Sequence, residues 1–563
     1  MRPRCILSGL CVCCVAWAAP AWAQNPREVP IGGRTATMGG AGTAAGNDSA
    51  MPYLNPAGLA GVPGDIFGIS ASLYGYTHRS FKGFFFPNGT DPALGRVEIE
   101  SEDFTSRSVT DMPSSVMYFE RLGSDVDAQQ HHHLGVALVV PSSRRIELLA
   151  ANASRLPDFD GRLESTSALS YHSTDYWLGP SYALGVSERL RLGASLFAVL
   201  SRSVRSSETS SVDELAGGAA TVSQRTHVAQ EANALSLAPV LGFQLEFAPN
   251  YWLGAAVAVP SLPITGQVSV VNGASGVGVD PVSGAPTASS DSFTLRGDYR
   301  AGTPLRLNAG IARDDREGFS FAADVHYYGA RKEAQVLEGV MRSDRYRSGE
   351  TSRHFYQKQR ASTDFESAVD FSAGIELAVS PVLQVRAGGF TDFANTPELS
   401  SDPADHQRLR VDRFGATLGL GLRFGSFDST IGLVYAHGQG KFGVLDSFGA
   451  NQPALPAIRI APIETTEDTL LLVLSGALTR EEAKKQIRHS LPLDVETPLG
   501  NPLGPAPAPA PAASPPAPAP TPEPPAPAPT PEPPAPPPAP APDPPPAPES
   551  PPNAPEPKPE GAP

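Results

Sequence analysis

ATLGLGLRFGSFDSTIGLVYAHG, residues 416–438, holds a strand, a tight turn and a second strand. In the first strand Ala416, Leu418, Leu420, Leu422 and Phe424 share one face, and Thr417, Gly419, Gly421 and Arg423 share the other. Alternation with period two is the mark of a strand with two unlike faces. It recurs in 190–196, where Leu190, Leu192, Ala194 and Leu196 oppose Arg191, Gly193 and Ser195, and again in 319–327 and 371–379. A soluble sandwich or propeller would alternate too, so the connections decide. Tight polar or aromatic turns fall near 120–130, 185–190, 248–252, 313–318, 380–383 and 425–429. Long polar connections rich in Ser, Asp and Gly are expected over 202–235, 261–303 and 331–366. Short turns on one side and long loops on the other belong to an outer-membrane barrel, whereas a sandwich mixes the lengths. Tyr251-Trp252 after a tight turn and Tyr176-Trp177 within or near the end of a strand suit an interfacial girdle. With one strand before the first pair (66–77) and one after the last (468–477), about fourteen strands result. The expected fold is an all-β transmembrane antiparallel barrel, and an even count puts both termini on the periplasmic side of a Gram-negative outer membrane.

The flanks read differently. Residues 1–23 form a signal peptide: Arg2 and Arg4, an apolar run from Cys5 to Ala19, and an Ala21-Trp22-Ala23 cleavage site. All four cysteines lie inside it, so the mature chain is expected to carry neither disulfides nor thiolate metal sites. A formal charge of −15 and a pI near 5.2 argue against a nucleic-acid partner. Beyond the barrel (65–478), residues 479–498 read as a short periplasmic helix and linker, with Thr479 and Glu482 as a capping box. Residues 499–563 are a Pro/Ala-rich disordered tail, with TPEPPAP at 521–527 and 530–536. At ~3.1 Å per residue such an arm reaches ~200 Å. It is either a plain tail or an arm to peptidoglycan or a periplasmic protein.

Gly40-Ala41-Gly42-Thr43-Ala44-Ala45 fits the dinucleotide pattern G-x-G-x-x-G/A, but no buried strand precedes it and no helix follows. No cofactor is expected. His131-His132-His133 falls at an expected turn without metal-ligand spacing, and His172 and Ser173 point to opposite faces of one strand, so neither a metal nor a catalytic site is expected. Arg191, Glu246, Asp324, His326, Glu376, Arg386 and Arg423 sit on the faces turned from lipid, as paired lumen residues or contacts to a plug. The apolar island 146–151, in an expected loop over 142–170, is a capture surface or a loop packed on itself.

The N-terminal segment carries a resemblance. Gly33-Arg34-Thr35-Ala36-Thr37-Met38-Gly39-Gly40-Ala41-Gly42, followed by Asn55-Pro56-Ala57-Gly58-Leu59-Ala60 before the first strand, resembles the FadL/TodX family of outer-membrane transporters of hydrophobic compounds. The resemblance covers about thirty residues. It implies that residues 24–64 form a hatch inside the barrel, its glycines Gly33, Gly39, Gly40 and Gly42 allowing tight turns close to the wall. It implies a hydrophobic substrate such as a fatty acid or hydrocarbon, taken from the lipopolysaccharide side and released sideways through a gap at the third strand, faced by Asn55, Pro56 and Ala57. In that strand Pro141 either ends the strand or kinks it, and a strand end is the preferred reading. The alternatives are a structural barrel tethered through its tail, or a secretion-associated barrel. No enzyme activity is expected.

Overall fold

The computed structural model describes residues 25, 29–62, 64–85, 98–99, 103–122, 131–157, 161–215, 220–279, 285–315, 317–349, 351–400, 408–424, 427–445 and 460–479. The expected signal peptide and tail lie outside them, as does the helix expected from 479 apart from Thr479 itself, which ends the last strand.

The strands run in chain order as β1 (Ile66–Phe81), β2 (Glu98–Ile99), β3 (Phe104–Leu122), β4 (His131–Leu156), β5 (Gly161–Gly185), β6 (Leu190–Leu215) and β7 (Ala220–Ala248). There follow β8 (Tyr251–Ala258), β9 (Leu262–Val279), β10 (Pro286–Ala301), β11 (Arg306–Arg313), β12 (Phe319–Tyr328) and β13 (Arg331–Arg347). The last are β14 (Arg353–Phe365), β15 (Ala368–Ala378), β16 (Leu383–Asp392), β17 (Leu409–Phe424), β18 (Phe427–Leu445) and β19 (Ile460–Thr479). All pairings are antiparallel, and β19 returns to β1 with Ile66 opposite Thr479, which closes the wall. Four wall positions are split into two strands end to end: β8 with β9, β11 with β10, β12 with β13, and β15 with β14. Counting each split pair once and setting aside the two-residue β2 gives fourteen positions around the barrel.

The alternation in 416–438 resolves into an inverted sandwich logic. Leu418 and Leu420 are 62% and 45% exposed, as are Ile431 (44%) and Leu433 (49%) across the turn. Their partners Thr417, Gly419 and Gly421 face a filled lumen. Apolar side chains outside and small or polar ones inside define a barrel whose solvent is lipid. Tyr251, Phe247 and Phe319 stand outward beside the tight turns, at 37%, 49% and 41% exposure, where a girdle belongs. Trp177 lies within β5 but departs from the expected girdle: it points inward and is 4% exposed.

The expected long loops are largely strand. Residues 202–215 and 220–235 continue β6 and β7, 262–279 and 286–301 are β9 and β10, 331–347 and 353–365 are β13 and β14, and most of 142–170 belongs to β4 and β5. β4 to β7 contain 26, 25, 26 and 29 residues. A bilayer needs only about 9–11 residues of a tilted strand. Past the bilayer neither face must be apolar, so the period-two signal fades while the backbone ladder continues. Ile146 and Leu148 accordingly point into a packed cluster with Phe81, Phe104 and Phe442, while Leu149 is exposed.

Candidate transport path

The plug is built from its own turns first. Gly32, Gly39 and Gly40 have positive φ (96°, 68° and 84°), conformations that side chains with a Cβ resist. Asp48 then ties the segment to itself: its carboxylate accepts the N–H groups of Thr35 at 2.7 Å, Gly33 at 3.1 Å and Ala50 at 3.1 Å. Two single-turn helices, α1 (Arg34–Thr37) and α2 (Met51–Leu54), and a 3₁₀ turn (Pro56–Gly61) complete it. Residues 31–59 are buried almost throughout, which only a surrounding wall can achieve for so irregular a chain.

The wall meets this plug with charge and with glycine. Arg34 forks onto Glu376 at 2.9 Å and Asp314 at 2.8 Å, and Glu376 also receives Arg386 Nε at 2.6 Å. Thr417 accepts Gly39 N–H at 3.0 Å and donates to Thr37 O at 2.8 Å. The Gly40–Ala45 loop does bind an anion, but one from the barrel: Asp324 Oδ2 accepts Gly42 N–H at 2.7 Å and Thr43 N–H at 2.8 Å. A Cβ on wall Gly374, Gly388 or Gly419 would stand 2.4, 2.3 or 2.4 Å from Met38, Gly39 or Thr37. Of the lumen-face residues singled out from sequence, Arg191 lies 4.1 Å over Trp252 and His326 joins Asn308. Glu246, by contrast, serves the turn by accepting Asn250 N–H.

Asn55, Pro56 and Ala57 pack against β6 and β7. Asn55 Nδ2 donates to Phe243 O at 3.0 Å and Thr43 O at 2.7 Å, and its Oδ1 accepts Ala57 N–H. A Cβ at Gly242 would fall 2.0 Å from Asn55 Oδ1, and one at Gly193 would fall 2.3 Å from Ala57 N. Through these contacts the motif seats the plug on β6 and β7, and the 3₁₀ turn that follows from Pro56 also touches β5 and β4. His131, His132 and His133 open β4 instead of lying in a turn, and they take separate partners: Arg121, Tyr182 and Val62 O.

Where the resemblance implies a gap, the pairing of β3 with β4 is short. The β3–β4 ladder spans only Ser115–Leu122 opposite Val139–His132. Above it β3 stays with β1 and β4 stays with β5. The break coincides with Pro141, where β4 does not end but bulges. Between the Val139–Trp177 and Ser142–Asp175 pairs, β4 has Val140 and Pro141 where β5 has only Tyr176. Proline offers no N–H to a partner strand, and an extra residue bends the strand that carries it. Higher up, Ser106 Oγ donates to Glu147 O and Arg79 Nη1 to Arg145 O, so the seam is bounded at both ends.

Inside the seam lies a chamber of about 80 Å³, lined at the wall by Pro141 and Ser142. Its floor is Tyr53 of the plug, which meets Trp177 (edge-on, 5.0 Å between centroids) and the Arg306 guanidinium (3.7 Å over the ring). Tyr171, Tyr299, Tyr328 and Phe365 complete an aromatic surround. Asn25 also lines the chamber, donating to Asp392 O and Val411 O at 2.8 Å each and accepting from Arg144. A buried charge group stands behind it, with Glu467 bridging Arg79 and Arg413, and Arg413 reaching Asp392. Tyr53 and Arg306 were not singled out from sequence, and Trp177 was singled out only as a girdle aromatic. One sign was available: Tyr53 is the sole aromatic residue in 24–64, a segment otherwise made of small and polar residues.

No protein-family model matches the sequence, and no curated protein does. Among solved structures, a Pseudomonas aeruginosa FadL homologue is 14% identical, covers 82% of this chain and 99% of its own, and superposes with a TM-score of 0.47. The P. putida toluene transporter TodX is 15% identical over 80% of this chain and 98% of its own, with a TM-score of 0.44. The CymD monoaromatic hydrocarbon channel is 13% identical over 80% and 97%, with a TM-score of 0.43.

Proposed function

We propose that this protein is an outer-membrane channel for diffusion-driven uptake of hydrophobic small molecules. The carrying observation is the conjunction of an aromatic chamber above a plug with a break in the wall ladder at the chamber's own edge, Pro141 and Ser142. A hydrophobe that reaches this chamber has no apolar route downward, because the lumen below is filled by the hydrogen-bonded plug. The seam between β3 and β4 offers one sideways, into lipid, which is where such a molecule is most stable. No catalyst is needed. The resemblance of the N-terminal motif to the FadL/TodX family supports the same reading, and the contacts of Asn55–Ala57 with β6 and β7 give the motif a part in seating the plug.

Deleting Pro141 alone tests it. The deletion removes the one extra residue of the bulge and restores one-to-one pairing of β4 with β5. Uptake of a fluorescent fatty acid or hydrocarbon by cells lacking other carriers should then drop at least about tenfold, with the barrel still folded by its heat-dependent gel mobility. Unchanged uptake through a folded barrel would refute lateral release.

A further inference from the structure

The chamber is too small for the cargo that uptake requires. Its volume of about 80 Å³ is roughly half that of a ~150 Å³ cavity that holds one benzene molecule. The wall shows where room can come from. β8, β10, β12 and β14 end at Ala258, Ala301, Tyr328 and Phe365, and all four of these residues line the chamber. The four splits of the wall therefore lie along one line at the chamber's edge. Beyond that line β9, β10, β13 and β14 pair with one another, and the β7–β9 ladder joins them to the rest of the wall. On its other side β14 has no ladder partner among the described residues, so this sheet has one attached edge and one open edge. Its packing is also its own. Val268, Val270, Leu295, Tyr299 and Leu337 form a cluster with residues of β7 that shares no member with the cluster around Phe81, Tyr171 and Phe442. Tyr299 from one cluster and Tyr171 from the other both line the chamber.

One side chain fixes the bend at the line. Arg331, the first residue of β13, donates from Nη1 to Ser261 O at 3.1 Å and to Thr303 O. Ser261 lies between β8 and β9, and Thr303 between β10 and β11, so a single guanidinium grips three of the four splits. Gly302 leaves room for it: a Cβ there would fall 2.2 Å from the Arg331 guanidinium. Two residues on, Glu333 has a φ of 49°, a conformation that its Cβ resists. There β13 has residues 332–334 opposite Asp364 alone, a bulge whose strain the surroundings must hold.

We infer that β9, β10, β13 and β14 are a flap that opens the chamber on the side away from the plug by tilting outward at this line, with Arg331 as the pin that holds it shut. This rests on the proposed uptake function, for which it supplies the way in. Tyr356 of β14 stands nine residues beyond the line, about 30 Å of strand, so a tilt of about 10° carries it about 5 Å outward.

The test is pulsed electron resonance between spin labels on the full chain in lipid nanodiscs. All four cysteines lie within residues 5–14, ahead of every labelled position. Tyr356→Cys with Leu149→Cys spans the flap and β4, at positions that are 71% and 72% exposed. Leu253→Cys with Leu418→Cys spans the wall below the line and serves as the control. Saturating butylbenzene should create or enrich a population about 5 Å longer in the first pair and leave the control unchanged. Arg331→Met should raise that longer population roughly tenfold without ligand, the scale of a lost hydrogen bond from a charged group. A first-pair distribution that butylbenzene leaves unchanged overturns the inference. So does equal broadening of both pairs, which would mean that the whole barrel loosens. The unaltered protein with ligand carries the test should Arg331→Met fail to fold. Deleting Pro141 should stop uptake while the flap still moves, so failure of lateral release and failure of the flap give different results.

Discussion

Replacing Asp324 by alanine should release the glycine loop of the plug while leaving the barrel standing. The Asp324 side chain is 3% exposed, and one of its oxygens accepts the N–H groups of Gly42 and Thr43 at 2.7 and 2.8 Å. Alanine removes the acceptor and leaves two main-chain donors in a lumen packed too tightly for easy hydration. Each such orphan costs about 1–3 kcal/mol, so local opening of the loop becomes easier by roughly 2–6 kcal/mol. With tenfold per ~1.4 kcal/mol, amide hydrogen exchange over residues 39–46 should speed up about thirtyfold at the least and about twenty-thousandfold at the most. Exchange in β17 and β18 should hardly change, because their ladder is complete without the plug. Exchange over 39–46 within about threefold of the unaltered protein would refute the anchoring role. So would an equal rise across the wall strands, which would mean that Asp324 supports the barrel and not the loop.

Three further outcomes follow from the same geometry. Gly242→Val puts a side chain where Asn55 Oδ1 lies 2.0 Å from a Cβ, so the plug should leave its seat and become sensitive to protease in an otherwise folded barrel. Arg386→Met strips Glu376 of its closest partner at a side chain that is wholly buried, and should lower barrel stability by about 3–5 kcal/mol in urea titrations followed by gel mobility. Leu418→Arg, on the lipid face at 62% exposure, should cost about 2–4 kcal/mol, while Tyr356→Arg on β14, at 71% exposure and past the apolar belt, should cost almost nothing. Equal costs for this last pair would show that the belt has been placed wrongly.

The wall was legible where lipid constrains it. Leu418, Leu420, Ile431 and Leu433 alternate because one face of each strand must be apolar, and the expected strand positions follow from that rule. It fails at β6, β7, β13 and β14 beyond the bilayer, where Ser203–Ser211 and Arg353–Lys358 pair as strands without any face preference to betray them. The plug's ends were legible through Gly33–Gly42 and Asn55–Ala60. Of its attachments, Asp324 and Glu376 were legible as inward-facing charges, but their partners were not, since Gly42 and Asp324 are 282 residues apart and Arg34 and Glu376 are 342 apart, and only closure of the barrel brings them together. Trp177 was misplaced for a related reason: an aromatic in a barrel strand is apolar on either face, so residue type alone does not say whether it meets lipid or substrate. Pro141 was seen, but a proline that ends a strand and one that bulges it look the same until the partner strand's register is known.

Pairing of Ile66 with Thr479 carries a consequence for the order of assembly. The ladder that makes the wall continuous joins the first long strand to the last, so it waits for nearly the whole chain to be delivered. The plug precedes all of it and meets partners from the middle and end of the chain at Asp324, Glu376 and Thr417. A plug left outside could not pass in through a finished wall whose glycines fit it to within a methyl group. It must already lie against the growing sheet when the last strand arrives, and its ion pairs and turns then serve as a mandrel around which the sheet curls. Damage to Arg34 or Asp48 should therefore appear first as barrels that fail to close, and only among the survivors as altered transport.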